Sequence, residues 1–421
     1  MPAGKPTLTL TDVVRAAPQG FIRDAPFSSN DKDVLIKIGN CGTGEFGYYV
    51  LRCPKCRGEA YTPRGCRNRH CPSCKPALAQ EWMEARLKEL LPTHYYQLVV
   101  ALPPQLRDLA LENRAKIYGL FMRTIREVLL EFAANPDHLG AEPALLLVLH
   151  TWNKLMGYHV HAHALITAGG YDEANDTWVP AKNEDFFASV HALGKVIRGR
   201  FMDGLKKLRR QGKLTFQSTA NKPLLDLEAW QKLLDVLYAE SWNVFAERPK
   251  GGPEHVIRYL GQYIQRAAIS NYRFMALDKN NVTFKSWQQD KLAPRDKFGR
   301  VATKPKSRTM PTGEFLRLFT CHILPRGFHR ARKAGLLAPS RKEALKKAQE
   351  AAARQVGAPP LPPPTPEPVP RPTSCPHCKV GFLEVSHLQI ASPDRIAFLN
   401  RAPTPPLNRA TGPPLLLRPP L

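Results

Sequence analysis

Apolar residues recur along the chain with two different periods, and each period marks a different kind of element. Between residues 106 and 132 they stand at helical spacing, at Leu106, Leu109, Ile117, Leu120, Phe121, Val128 and Phe132, and Asn135-Pro136 predicts where that helix stops. A further helix is expected to begin at Ala77. The short apolar runs 94–102, 145–150 and 160–167 read as strands, the last broken by Gly169-Gly170. A hairpin is expected at 273–277 and 282–287, turning through Asp278 to Asn281. Gly251-Gly252 followed by Pro253 and Glu254 marks another helix start, because proline fits the first helical position and an acid favours the positive end of the helix. Helices and strands thus mix, which predicts an α+β fold in which a mostly antiparallel sheet carries the site.

Charge narrows the class of partner. Lys and Arg total 61 against 36 Asp and Glu, a formal net charge of +25, as expected of a chain that lies along phosphates. Residues 195–213 hold eight basic side chains and one acid, and Lys206, Lys207, Arg209 and Arg210 within them form either a solvated helix face or a track for nucleic acid. No segment approaches the ~18 consecutive apolar residues of a membrane span, and the N-terminus has no signal-peptide core. The chain therefore reads as a soluble cytoplasmic protein with no membrane partner.

Six of the nine cysteines fall between Cys41 and Cys74, and in a reducing compartment such a cluster reads as a metal site. Cys53-x-x-Cys56 and Cys71-x-x-Cys74 are two thiolate knuckles separated by 14 residues, a spacing that can close a tetrahedron around structural zinc. Cys41, Cys66 and His70 are further zinc candidates. Cys375-x-x-Cys378 with His387 could supply a missing ligand or form a weaker knuckle. Arg67 and Arg69, inside the cluster, either touch DNA or balance thiolate charge.

The stretch from Tyr158 to Ile166 alternates so that His159, His161 and His163 share one face of a strand. At about 3.3 Å rise per residue the outer two are about 13 Å apart, so one metal ion can hold one adjacent pair, and His161 belongs to both pairs. His150 ends the preceding strand and becomes a third ligand if the two strands pair. Imidazole by itself favours zinc, iron or manganese over magnesium. Tyr259 and Tyr263 lie four apart, on one face of the helix that starts at Pro253. Spacing alone usually means core packing, but beside a metal-binding histidine strand two phenols become candidate nucleophiles.

Together, Cys66-Arg-Asn-Arg-His-Cys-Pro-Ser-Cys74, His150-Thr-Trp152, His159-Val-His-Ala-His163 followed by Gly169-Gly170, and Gly251-Gly-Pro-Glu254 leading to Tyr259-Leu-Gly-Gln-Tyr263 resemble the two-tyrosine HUH transposases of bacterial rolling-circle insertion sequences. The resemblance covers about residues 40–345, including Ala268-Ile-Ser-Asn271 and Leu324-Pro-Arg-Gly-Phe328. It implies an HUH endonuclease fold behind a small zinc-binding domain, a catalytic Mg2+ or Mn2+, and a nucleoid-associated enzyme acting on single-stranded DNA of element ends and on target DNA. Counting back from the glycine pair makes His161 and His163 the family's metal pair. Tyr259 and Tyr263 become the nucleophiles that leave a 5′-phosphotyrosine and a free 3′-hydroxyl. Two positions depart from the pattern: Ala162 is smaller than usual between the histidines, and Gln262 and Gln265 stand where basic residues or histidine are common. The expected segments are a zinc-binding, DNA-contacting domain 1–90, a catalytic domain 91–346, a linker 347–374 with nine prolines among residues 359–372, and a C-x-x-C segment with a disordered tail, 375–421. Rival readings are a plasmid replication initiator or relaxase with the same chemistry, and a zinc-dependent DNA-binding regulator without catalysis.

Overall fold

The computed structural model describes residues 8–182, 188–242, 244–247, 267–289, 302–356 and 374–389. Strands are numbered β1 to β13 along the chain. Near the N-terminus β1 (Tyr48–Arg52) and β2 (Glu59–Pro63) form a hairpin, and the strand nearest the C-terminus, β13 (Glu384–Gln389), pairs with the other edge of β1.

The centre is a five-stranded antiparallel sheet. Its strands are β3 (Tyr95–Ala101), β4 (Ala144–Trp152), β5 (Tyr158–Thr167), β8 (Val244–Glu247) and β12 (Ala331–Gly335), in the order β12-β4-β5-β3-β8. The three apolar runs that predicted strands are its three middle members. Because side chains alternate, one face carries Leu98, Val100, Leu147, Leu149, Val160, Ala162 and Ala164, all buried in the main core. Helices Arg114–Ala134 and Val190–Arg210 cover that face with Ile117, Phe121, Ile125, Leu193, Ile197 and Phe201. Ala162, small for its family position, is fully buried here. The opposite face carries the histidines.

A single helix was expected over residues 106–132; it is interrupted at Asn113, between Arg107–Glu112 and Arg114–Ala134. The Asn113 amide donates to the carbonyls of Leu109 and Thr215 and accepts the Thr215 N–H at 2.8 Å, so it ties down a neighbouring loop at the cost of helical continuity. Strand β5 ends before Gly169-Gly170, where β6 (Gly169–Asp172) begins a short ribbon with β7 (Thr177–Pro180). A Cβ on Gly170 would lie 2.8 Å from the Ala141 backbone, which explains glycine at that point.

Strands β9 (Phe274–Leu277), β10 (Asn281–Gln289) and β11 (Thr303–Pro311) form a third sheet. Its turn is the expected one: the Asp278 carboxylate accepts the N–H groups of Asn280 and Asn281 at 2.9 and 2.7 Å. Phe274 and Phe284 of this sheet join Phe315 and Phe319 of helix Thr312–Thr320 and Leu10, Val13, Leu35 and Ile38 of the N-terminal helices in one buried cluster. The N-terminal helices thus share a buried core with the third sheet, as short amphipathic helices cannot close a core alone. Helix Lys342–Val356 lays Ala344, Ala348, Ala351 and Ala352 against Leu91, Tyr171 and Trp178. Among the described residues no helix is long and apolar enough to cross a membrane.

Candidate functional site

Strands β4 and β5 pair with His150 directly opposite His161, so both imidazoles stand on the uncovered face, joined by His163 two residues along. A ligand nitrogen from each of the three comes within 4.8 Å of the others. Their rings are 4.7 to 5.3 Å apart and steeply inclined, a converging arrangement rather than a stack. His159 lies beyond, its ring 5.0 Å from that of His161, outside the group of three.

Proton positions follow from the neighbours. Nδ1 of His161 is 3.1 Å from the His159 carbonyl, which can only accept, so this nitrogen carries the proton and Nε2 keeps its lone pair. The Gln97 side-chain NH2 lies 3.5 Å from Nδ1 of His163, a position from which it can donate to that nitrogen. Burial lowers the pKa of His161 to about 3, helped by the neighbouring imidazoles, and that of His163 to about 4. All near-neutral conditions thus present uncharged imidazoles, the form that binds a metal.

The far end of the same face is closed by Leu146, Val148 and Leu165 against Leu90, Tyr95 and Trp82. Toward the Tyr158 end of β5, His159 and His161 are half-buried while His163 is buried. The Trp152 ring stacks on His150 at 4.9 Å, and the Arg330 guanidinium lies 5.1 Å from the Trp152 ring. Gln97 had not been singled out from the sequence, and Trp152 only as part of the His150-Thr-Trp152 motif. Gln97 is an amide in the otherwise apolar β3 and could have been noticed; the role of Trp152 depends on the β4–β5 pairing. Tyr259 and Tyr263 lie outside the described residues.

The cysteines sort differently from their spacing. Cys41, at the end of helix Ser29–Gly39, meets Cys66, Cys71 and Cys74, all four sulfurs within 4.8 Å. Their separations include 3.6 Å from Cys41 to Cys74 and 3.5 Å from Cys71 to Cys41. Hydrogen bonds from the Cys41, Cys66 and Cys71 thiols hold the Cys74 thiol far below its usual range, while those same contacts push Cys66 and Cys71 upward. A Cβ on Gly65 would stand 2.7 Å from the Cys74 sulfur, so glycine is required beside this cluster. The expected tetrahedron of Cys53, Cys56, Cys71 and Cys74 does not form, because Cys53 and Cys56 face Cys375 and Cys378 instead. His70 belongs to neither group. Its N–H is taken by the Asn68 side chain at 2.9 Å, and its buried ring accepts the Leu324 N–H at 3.3 Å.

The basic residues also divide. Arg67 is exposed, whereas Arg69 turns inward and donates to the carbonyls of Leu324, Pro325 and Phe328. Arg209 lies 4.5 Å over the Trp230 ring and donates to the Leu225 carbonyl, and Lys206 lies over Tyr238. Lys207 and Arg210 remain exposed. Their helix covers the sheet face opposite the histidines.

Residues 145–344 match the family model described as "Putative transposase", and residues 13–102 match a "Transposase zinc-binding domain". The curated "Putative transposase y4qJ" of Sinorhizobium fredii is 36% identical over 310 residues, 74% of this chain and 75% of that one. The "Transposase for insertion sequence element IS801" of Pseudomonas savastanoi pv. phaseolicola is 26% identical over 297 residues, 67% of each. Among solved structures, the metal-bound conjugative relaxase TrwC in complex with oriT DNA matches at 15% identity and a TM-score of 0.22, over 41% of this chain and 71% of that chain.

Proposed function

The chain belongs to the two-tyrosine HUH transposase family of bacterial rolling-circle insertion sequences, and from that premise we propose that it nicks and joins single-stranded DNA at element ends and target, with Tyr259 and Tyr263 as nucleophiles. The observation that carries the reading is the convergence of His150, His161 and His163, with the His161 proton committed to a backbone carbonyl. Three converging imidazoles fit a divalent cation, and the all-nitrogen set favours Mn2+ over Mg2+. When bound, the ion would polarise the scissile phosphate and offset its developing charge.

The chain's own groups do the rest. A Tyr259 or Tyr263 oxygen attacks phosphorus, the bond from phosphorus to the 3′-oxygen of the upstream nucleotide breaks, and that strand departs with a free 3′-hydroxyl, its oxygen gaining a proton to balance the one the phenol loses. The tyrosine retains a 5′-phosphodiester, so the bond's energy is kept and no nucleotide cofactor is consumed. A second tyrosine allows a second strand to be cut while the first is still held. Gln97 fixes the His163 ring, and Trp152 holds that of His150, both as positioning residues. The Tyr158 end of β5 is where the phosphate would enter. Exposed Arg67 is the proposed DNA contact of the cysteine module, with Lys207 and Arg210 on the far face holding a different stretch of strand.

The test is covalent capture. Purified protein, Mn2+ or Mg2+ and a labelled single-stranded oligonucleotide from an element end should give a denaturant-resistant adduct. Changing Tyr259 or Tyr263 singly to Phe should leave an adduct but stop completed transfer, and the double variant should give none. An undiminished adduct in the double variant would assign the chemistry to other residues.

A further inference from the structure

We propose a second structural zinc site, formed by Cys53, Cys56, Cys375 and Cys378, in which the ion clasps the C-terminal segment onto the N-terminal module. The matched zinc-binding model ends at residue 102 and so contains only half of this ligand set. Three independent observations support the site.

The first is the sulfur geometry. All four sulfurs lie within 4.8 Å of one another, with Cys53 to Cys378 at 3.8 Å and Cys56 to Cys375 at 3.5 Å. A tetrahedron of thiolates at about 2.3 Å from zinc has edges of about 3.8 Å, so the four stand near ligating positions.

The second is that the two halves are built alike. In each, the residue after the second cysteine takes a left-handed conformation, Arg57 at φ 58° and Lys379 at φ 58°. Each such residue donates its N–H to the carbonyl of the first cysteine, at 2.8 and 2.9 Å. In each a glycine N–H points at the second sulfur, Gly58 to Cys56 at 3.4 Å and Gly381 to Cys378 at 3.3 Å. Such bonds stabilise a thiolate. A Cβ on Gly381 would sit 2.4 Å from the Cys53 sulfur, too close to fit without a shift, and one on Gly58 would lie tightly at 3.2 Å from the Cys56 sulfur.

The third is that the module is unfinished without its distant part. Strand β13 supplies one neighbour of β1, from Tyr48 opposite Gln389 to Arg52 opposite Glu384. The buried cluster there consists of Leu51, Cys53, Ala60, Cys375 and Leu383, drawn from both ends of the chain. So few apolar side chains do not hold a sheet together in water, and a metal whose binding energy is also folding energy meets that need.

The full chain tests this. Untreated protein should carry two zinc ions, and Cys375→Ser with Cys378→Ser should reduce the count to one. Cys378→His, which keeps a ligand, should restore two. A specific protease site is placed between residues 359 and 372 and the chain is cut after folding. The C-terminal fragment should stay bound through gel filtration in the otherwise native protein and separate in the double-serine protein. A single zinc in the native protein, or a count unmoved by the serine pair, would overturn the proposal. Fragments that remain together in both proteins, or separate in both, would also overturn it. None of these readouts depends on DNA cleavage.

Discussion

Changing Arg69 to Ala separates a structural cation from a DNA-binding one. Its guanidinium reaches the carbonyls of Leu324, Pro325 and Phe328, at the turn that leads into β12 beside the histidine strands. The Leu324 carbonyl also accepts from the Asn30 side chain at 3.2 Å, and the Pro325 carbonyl from the Phe328 N–H at 3.0 Å. Among the described residues the Phe328 carbonyl has Arg69 as its donor, so the substitution orphans one acceptor and weakens two. A hydrogen bond to a charged group contributes about 1.5–3 kcal/mol, and the half-buried setting discounts the weaker pair, so the expected loss is roughly 2–4 kcal/mol. For a chain of 421 residues that corresponds to a fall in Tm of about 2–5 °C. The assays are denaturant unfolding and a salt titration of binding to single-stranded DNA. Each phosphate contact adds about 0.7 to the salt slope, and Arg69→Ala should leave that slope unchanged. Unchanged stability with a slope lower by about 0.7 would refute the structural role and return Arg69 to the DNA surface.

Three further outcomes follow from the site and its surroundings. His161→Ala and His163→Ala should each lower adduct formation by about 100-fold or more while His159→Ala costs less, measured with Mn2+ present; equal loss in all three would disprove the grouping. Gln97→Leu should weaken metal affinity about 10-fold to 100-fold, read by titrating Mn2+ against adduct yield, and no change would show that the His163 ring is held by other means. Burial lowers the pKa of His322 to about 4, against the opposing pull of the Met156 and Thr151 carbonyls. The unfolded chain takes this proton below pH ~6.5 and the folded one only near 4, so stability should fall by about 3 kcal/mol as pH drops through that window. His322→Gln should flatten that fall in unfolding curves at pH 7 and 4.5; an unchanged slope would place the effect elsewhere.

What could be read in advance depended on how local each cause is. Strand alternation placed His159, His161 and His163 on one face, and His150 required only that adjacent runs pair, as β4 and β5 do. The sulfur partners were hidden because C-x-x-C spacing defines two ligands of a knuckle and leaves the other two to the fold. Here Cys56 and its neighbour Cys375 are 319 positions apart. The surroundings of Arg69 were hidden for a similar reason: the 324–328 loop beneath it comes from a distant part of the chain. The helix at residues 190–210 was legible as basic, but not that it covers the face away from the histidines.

The pairing of β1 with β13 also sets an order of events in synthesis. Residues 48–52 leave the ribosome early, yet the strand that completes their sheet ends at Gln389. At about 5–20 residues per second the wait is roughly 20 s to a minute, during which the edge of β1 is bare. The cysteine module is thus among the first parts translated and the last completed, and a chain cut short anywhere before residue 384 never completes it.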